Sequence, residues 1–404
     1  MSTPVHAEYD YIVIGLGGLG SGAVYWLARR AGTAVLGLEQ FELGHDRGAS
    51  QDHSRIFRIS YDQPEYAALA RHSYEAWRAV EADAGEPLLV ITGGLDLFPP
   101  GGAVSPVGHI QGLTTLGIPF EQLDAQEIMR RFPQFRVDDG TVGLYQAQGG
   151  IAPAAKCTRT HQALARAHGA TLLDNTPVTG VRALPDGMEV TTPEAVYRCR
   201  RLIVTADAWT NHVLAPLGVR IPLTSTQEQV AYYAAPDLDA FRPDRFPSWI
   251  WYDVPCFYGL ALYGEERGVK VAQDIGGEEI TPETRTFEPN QKTLARVGAF
   301  MRQHLPGAVG PIASLKTCIY TMTPDRDFVI DTVPGYPQVA LGLGAAHGFK
   351  FASIIGRVLS DLAIDGRSDL SMPKFAANRP ILREANPPRA FQSYLDKNRL
   401  PVPV

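Results

Sequence analysis

The sequence predicts a mixed α/β protein, in class terms α+β or α/β, with a dinucleotide-binding half assembled from both ends of the chain and a β-rich region inserted between. Three observations carry this expectation. Near the N-terminus an apolar run, YDYIVI, is followed by GLGGLG and then by the helical pattern SGAVYWLARRAG. Near the other end, FVIDTVPGYPQVALGLGAAHG gives two strands and a turn, and FKFASIIGRVLSDLAIDG gives a helix ending at Gly366. Between them, residues 221–234 and 256–273 are rich in aromatic and branched side chains, as strands are.

Each part of the opening unit has a physical task. Gly15 permits the tight turn after the strand, Gly17 lets backbone approach a pyrophosphate, and Gly20 allows close packing of helix on strand. The helix N-terminus supplies unpaired N–H groups and a positive dipole end. Glu39 closes the second strand, TAVLGLEQ, 24 residues after Gly15, where a carboxylate accepts ribose hydroxyls and disfavours a 2′-phosphate. This motif alone does not separate NAD from FAD, because both carry the same ADP half.

The middle of the chain continues as helices and strands in turn. Residues 66–80 and 153–168 have helical apolar spacing, the second opening at Pro153, and residues 123–132 form a short helix capped near Asp124. ATLLDNTPVTGVRAL reads as strand, turn, strand, and VYRCRRLIVTADAW as a longer strand entering a loop at Asp207. Residues 291–305 are helical again. After about residue 375, Pro380, Pro387 and Pro388 predict an extended or loosely packed tail.

Composition narrows the function classes. With 404 residues, 45% hydrophobic and 20% charged, the chain suits two or three globular domains with a large core. A net charge of −6 argues against a nucleic-acid partner. Cys157, Cys199, Cys256 and Cys318 form no CxxC pair and no zinc-like cluster, so a reducing, cytoplasmic setting without a bound metal is expected. MSTPVHAEYDY lacks the pattern of a signal peptide, and no run approaches the apolar length of a membrane span.

Four separated segments then converge on one family: GLGGLG with Glu39, SQDHSRIFRISY at 50–61, LKTCIYTMTPDRDFVID at 315–331, and AAHGFKFASIIG at 345–356. Together they resemble the monomeric sarcosine oxidase family, which includes N-methyltryptophan oxidase and other secondary-amine oxidases. The resemblance spans about residues 9–370 and implies a glutathione-reductase-type FAD-binding Rossmann domain over residues 1–90, 150–224 and 316–370. A mixed-sheet substrate domain over 91–149 and 225–315 would roof the flavin, leaving a tail over 371–404.

Residue roles follow from the same resemblance. Read alone, Cys318 could be a nucleophile, a ligand or packing; in the KTCxYT pattern it is the residue joined covalently to FAD. Read alone, Arg55 and Arg58 could be a helix or loop surface pair or a functional pair; the match makes Arg58 a clamp for a substrate carboxylate, with Lys350 as second partner. Arg55 and Ser54 then sit at the flavin. Lys270 in GVK matches the lysine that activates O₂, where a fixed ammonium stabilises developing superoxide. His347 matches an active-site histidine that orients substrate, and Tyr258 a pocket residue. Gly342, Gly344 and Gly348 would let the chain approach the flavin, with helix 349–363 aimed at its pyrimidine end.

Some positions depart from the family pattern. Ser50, Gln51, Asp52 and His53 stand where small residues and a histidine are common, and Asp207 stands where the loop before Ala208 and Trp209 usually has glycine. Asp274 replaces a histidine of small-substrate members and would disfavour a second substrate carboxylate. Trp249, Trp251, Tyr252, Phe257 and Tyr258 either line an apolar pocket or fill a sheet core. The expected activity is oxidation of an N-methyl or other secondary amino acid to an imine by FAD, with O₂ reduced to hydrogen peroxide, by a monomer. Cyclic imino acids, N-methyltryptophan-like or glycated amino acids are alternative substrates. A dehydrogenase with another acceptor and a non-catalytic FAD-binding protein are the alternative activities.

Overall fold

The apolar N-terminal run becomes the strand Val5–Ile14, flanked in parallel by Val35–Leu38 and by Ala195–Val204. It is the centre of an eight-stranded sheet in a computed structural model that describes residues 5–264 and 268–398. Ile12, Val13, Leu36 and Leu202 are wholly buried, because both faces of this sheet are covered. Helices Gly18–Ala31, Ala154–Ala167 and Ala352–Asp365 pack together over one face. The hairpin strands Gly180–Leu184 and Gly187–Thr191 extend its edge.

Ala195–Val204 brings the two chain ends together. Its first half pairs antiparallel with Gly187–Thr191, while Leu202–Val204 pairs in parallel with Val339–Leu341 of the strand Tyr336–Leu343. The turns at Gly15 and Gly344 therefore leave the same end of one sheet. The C-terminal helix of this unit is Ala352–Asp365, preceded by a single tight turn at Phe349–Phe351 and ended by Gly366 in a left-handed conformation.

A second sheet of nine strands carries the insert. Thr224–Tyr233 pairs along its length with Ile312–Met322, and also with Val269–Asp274. Ser248–Trp251 runs parallel to Gly94–Phe98 and antiparallel to Cys256–Leu260, so the sheet is mixed. Three short strands, Arg55–Phe57, Val90–Ile91 and Gly150–Ala152, form a separate small sheet. Period-two alternation sorts the aromatic residues of the insert. Trp249, Trp251 and Phe257 fill the core with Phe300, whereas Ile250, Tyr252 and Tyr258 face a cavity.

The tail differs from expectation. Phe375, Leu382, Phe391 and Leu395 are buried, and Gln392–Asn398 is helical. Phe391 and Leu395 pack on Met322 of the second sheet and on Ile275, in the turn just after the strand Val269–Asp274. The prolines prevent regular pairing, but the apolar residues between them still bury their surface. Among the described residues, no helix is long and apolar enough to cross a membrane.

Candidate active site

A cavity of about 730 Å³ runs from Gly15 and Glu39 at one end to Arg58, Asp274, His347 and Lys350 at the other. Its first part is the predicted nucleotide turn. Gly15 has φ +88°, and a Cβ there would lie 2.7 Å from the Thr205 carbonyl oxygen. A Cβ on Gly20 would lie 1.8 Å from the Gly15 oxygen, so Gly20 holds the turn from behind rather than lining the cavity. Gly17 precedes the helix Gly18–Ala31, whose first N–H, of Gly18, donates to Ser50 Oγ at 2.7 Å. Glu39 is fixed by the backbone N–H groups of Leu16 and Phe41, at 2.8 and 3.2 Å, and forms part of the wall. Asp207 adopts φ +45°, so the glycine-like turn is kept by a non-glycine residue. Its Oδ2 is buried without a partner, and burial pushes the carboxyl up to about 6.

The middle of the cavity is where the charges gather. Cys318, on Ile312–Met322, is a free thiol in the wall, and burial pushes it up to about 11 against the opposing pull of Arg55. Arg55 donates to the carbonyls of Ala49, Gln51 and Ser54 at 3.0, 2.7 and 2.9 Å, which shapes the loop before it. Lys270 is 1% exposed and does not reach the cavity. Its Nζ donates to Asp52 Oδ2 at 2.5 Å and to the Ser54 carbonyl at 2.7 Å, so Ser54 serves the lysine and not the cavity surface. Burial lowers the ammonium to about 8, with Asp52 opposing that shift.

At the far end two cations converge. Arg58 donates to the Ser60 carbonyl, lies over the Tyr61 ring at 4.1 Å and keeps a buried Nε without a partner. Lys350 donates to the His347 carbonyl at 2.9 Å. Burial, and then Arg58, push it down to about 7. His347 Nε2 lies 2.9 Å from the Arg326 carbonyl; since a carbonyl only accepts, that nitrogen carries the hydrogen. Burial, Arg326 and Lys350 hold His347 well below its usual range, so the ring is neutral.

Asp274 is paired with Arg326 at 2.9 Å, and both face the cavity. The expected repulsion of a second carboxylate by Asp274 is therefore offset by its partner. Of the residues singled out from sequence, Gly15, Gly17, Glu39, Arg55, Arg58, Tyr258, Asp274, Cys318, Gly344, His347, Gly348 and Lys350 share this one cavity. Gly20, Ser54 and Lys270 stand behind its wall. Sequence reasoning gave no role to Arg326 or to Tyr394 of the tail, which also line it.

Residues 10–362 match the model of a family described as FAD dependent oxidoreductases. The chain belongs to the FAD-dependent oxidoreductases. It is 36% identical to monomeric sarcosine oxidase of Streptomyces avermitilis over 367 residues, covering 89% of this chain and 94% of that one. It is 31% identical to N-methyl-L-tryptophan oxidase of Escherichia coli, covering 92% and 99%. Among solved structures it superposes on NikD, an unusual amino acid oxidase essential for nikkomycin biosynthesis, with a TM-score of 0.80 at 26% identity over 91% and 97% of the two chains.

The residues present fit the cofactor of an FAD-dependent oxidoreductase. Gly15 and Gly17 present backbone to the cavity at the N-terminus of a helix whose first N–H, of Gly18, is taken by Ser50 Oγ at 2.7 Å. Glu39 keeps acceptor capacity beyond the two N–H groups it takes. The cavity continues without interruption from this cradle to the cationic end.

Proposed function

We propose that this protein is an oxidase of secondary amino acids that carry one carboxylate, with sarcosine the leading substrate and larger N-methyl or cyclic amino acids close behind. The observation that carries the reading is the convergence of Arg58 and Lys350 in the cavity that begins at the FAD cradle. Among the described residues Lys350 has no acidic partner, and Arg58 holds Asp96 only at 3.8 Å, so a substrate carboxylate completes both. Bound FAD would supply the acceptor for the hydride equivalent lost from the C–H next to nitrogen, with O₂ as the final electron acceptor. In the net reaction an N-methyl amino acid, O₂ and water give the primary amino acid, formaldehyde and hydrogen peroxide. The clamp holds the carboxylate so that the C–H next to nitrogen has one orientation. Neutral His347, fixed through Arg326, shapes the pocket without adding charge. The protein acts as a monomer in this reading.

The test is a peroxide-coupled panel of sarcosine, N-methyl hydrophobic amino acids, proline, pipecolate, glycated amino acids and the matched carboxamides. Acids are expected to exceed their carboxamides throughout. A preference for the carboxamides would sink the clamp, and a preference for glycated substrates would keep the chemistry but replace the substrate.

The same reading makes the FAD covalent through Cys318, which stands in the cavity wall within the KTCIYT segment. Acid-denatured protein is then expected to stay yellow and carry an FAD-sized mass adduct on the Cys318 peptide. Cys318→Ala is expected to keep its native fold but to release its flavin once the protein is denatured. Free flavin in the supernatant of the wild-type protein, with an unmodified Cys318 peptide, would contradict the linkage.

A further inference from the structure

The residue with the densest set of charged partners in the cavity wall is Asp52. Its carboxylate receives Lys270 at 2.5 Å, Tyr232 Oη at 2.7 Å, Lys316 at 3.2 Å and Arg55 at 3.3 Å. It does so from a backbone position with φ +89°, which L-residues other than Asn and Asp seldom adopt. Asp52 contributes backbone to the cavity wall, and its carboxylate and Lys270 are both buried behind it. One anion thus serves three cations at a strained position, an arrangement that packing alone does not call for.

We propose that Asp52 is a positioning residue for the oxygen half of the reaction: its carboxylate fixes both the seat and the charge of Lys270, and so governs re-oxidation of the reduced cofactor rather than its reduction by substrate. The proposal rests on the oxidase reading above and on the oxygen-side role that the family resemblance implies for Lys270. The groups facing the ammonium can be named from every packed element. The loop and strand at 50–57 present Asp52, Arg55 and the Ser54 carbonyl. Thr224–Tyr233 presents Tyr232, whose ring lies 5.6 Å from Lys270 Nζ. Ile312–Met322 presents Lys316 and Cys318. Asp52 is the acid in this set that bonds Lys270, and the other strong charges are Arg55 and Lys316. Removing its charge leaves a buried amine among two cations, and such an amine releases its proton. Re-oxidation takes two electrons and two protons from the reduced cofactor to O₂, and an ammonium fixed just behind the cavity wall stabilises through space the negative charge that develops first on oxygen.

Two substitutions test this in the holoenzyme. Asp52→Asn keeps the size of the side chain, and Asp52→Gly relieves the backbone; both remove the charge. The chain has seven lysines, so ε-¹³C-lysine spectra resolve their titrations, with Lys270→Met assigning the signal. Both variants are expected to lower the Lys270 midpoint by more than one pH unit. At pH 7.5, re-oxidation by O₂ in stopped flow is expected to slow at least tenfold and to recover as pH is lowered. The rate of anaerobic reduction by substrate should change less than threefold. Re-oxidation is started from photoreduced enzyme, so failure of the substrate reading would appear separately, as absent reduction by any amino acid. An unshifted Lys270 titration in both variants, or equal slowing of the two half-reactions with no change in pH profile, would overturn the role of Asp52.

Discussion

Gly20→Ala is expected to lose FAD and to melt earlier, while Gly17→Ala is expected to lose affinity for FAD and keep the stability of the apoprotein. The two glycines belong to one motif but face different things. A methyl group on Gly20 would sit 1.8 Å from the Gly15 oxygen and 2.6 Å from Thr205 Oγ1. No rotamer relieves an overlap with backbone, so the turn itself must move. Overpacking of this kind costs about 1–3 kcal/mol, and contact with a backbone oxygen puts it at roughly the upper end. The displaced turn is the one on which the pyrophosphate would rest, so cofactor affinity falls with stability. A methyl group on Gly17 meets Ser50 Oγ at 3.1 Å and only the Ser50 Cβ beyond it. Within the protein this is tolerable, and the remaining direction is the cavity. Thermal melting of the apoproteins and flavin retained after desalting separate the two cases. Equal flavin content and melting in Gly20→Ala and wild type would show that the turn does not hold the cofactor.

That division between Gly17 and Gly20 was legible because strand, turn, helix and terminal acid are neighbours in the chain. The same holds for the Asp124 cap, whose side chain accepts from the Glu127 N–H, and for the stop at Gly366. The sorting of insert aromatics was also encoded: Trp249 and Trp251 share a parity, and Ile250 and Tyr252 share the other. Reading the alternation along each strand would have separated core from cavity. The charge network lay beyond local reasoning. Asp52 and Lys270 are 218 positions apart, and Arg326 and Asp274 are 52 apart. Whether a buried charge is bare or compensated depends on which strands meet, and periodicity does not specify that. A signal for Asp52 did exist, since an acid stood where the family pattern has small residues. Its partner became visible only with the second sheet in place. The tail departs from the expected loose packing because its prolines block regular pairing without blocking burial, and Phe391 and Leu395 decide where it seats.

Arg58→Met is expected to reduce kcat/KM for a carboxylate substrate by about two to four powers of ten. The estimate follows from two charge-assisted hydrogen bonds of roughly 1.5–3 kcal/mol each, at about 1.4 kcal/mol per decade. The fold should tolerate the change, because burial already raises the neighbouring Asp96 carboxyl against the pull of Arg58, and without Arg58 it can take up a proton. The discriminating readout is the ratio between an acid and its carboxamide. That ratio should collapse in Arg58→Met, whereas a merely structural role would lower both substrates together. Lys350 adds a pH signature. Its ammonium is pushed down to about 7, so the free protein holds it charged below that pH and uncharged above. A bound carboxylate favours the charged form. Affinity for acetate as a competitive ligand is therefore expected to be full below about 7 and to fall as pH rises through that value, by up to about tenfold per unit. Lys350→Met should flatten this dependence and weaken acetate at low pH. A pH dependence unchanged in Lys350→Met would place the titrating group elsewhere and leave Arg58 as the carboxylate anchor without its partner.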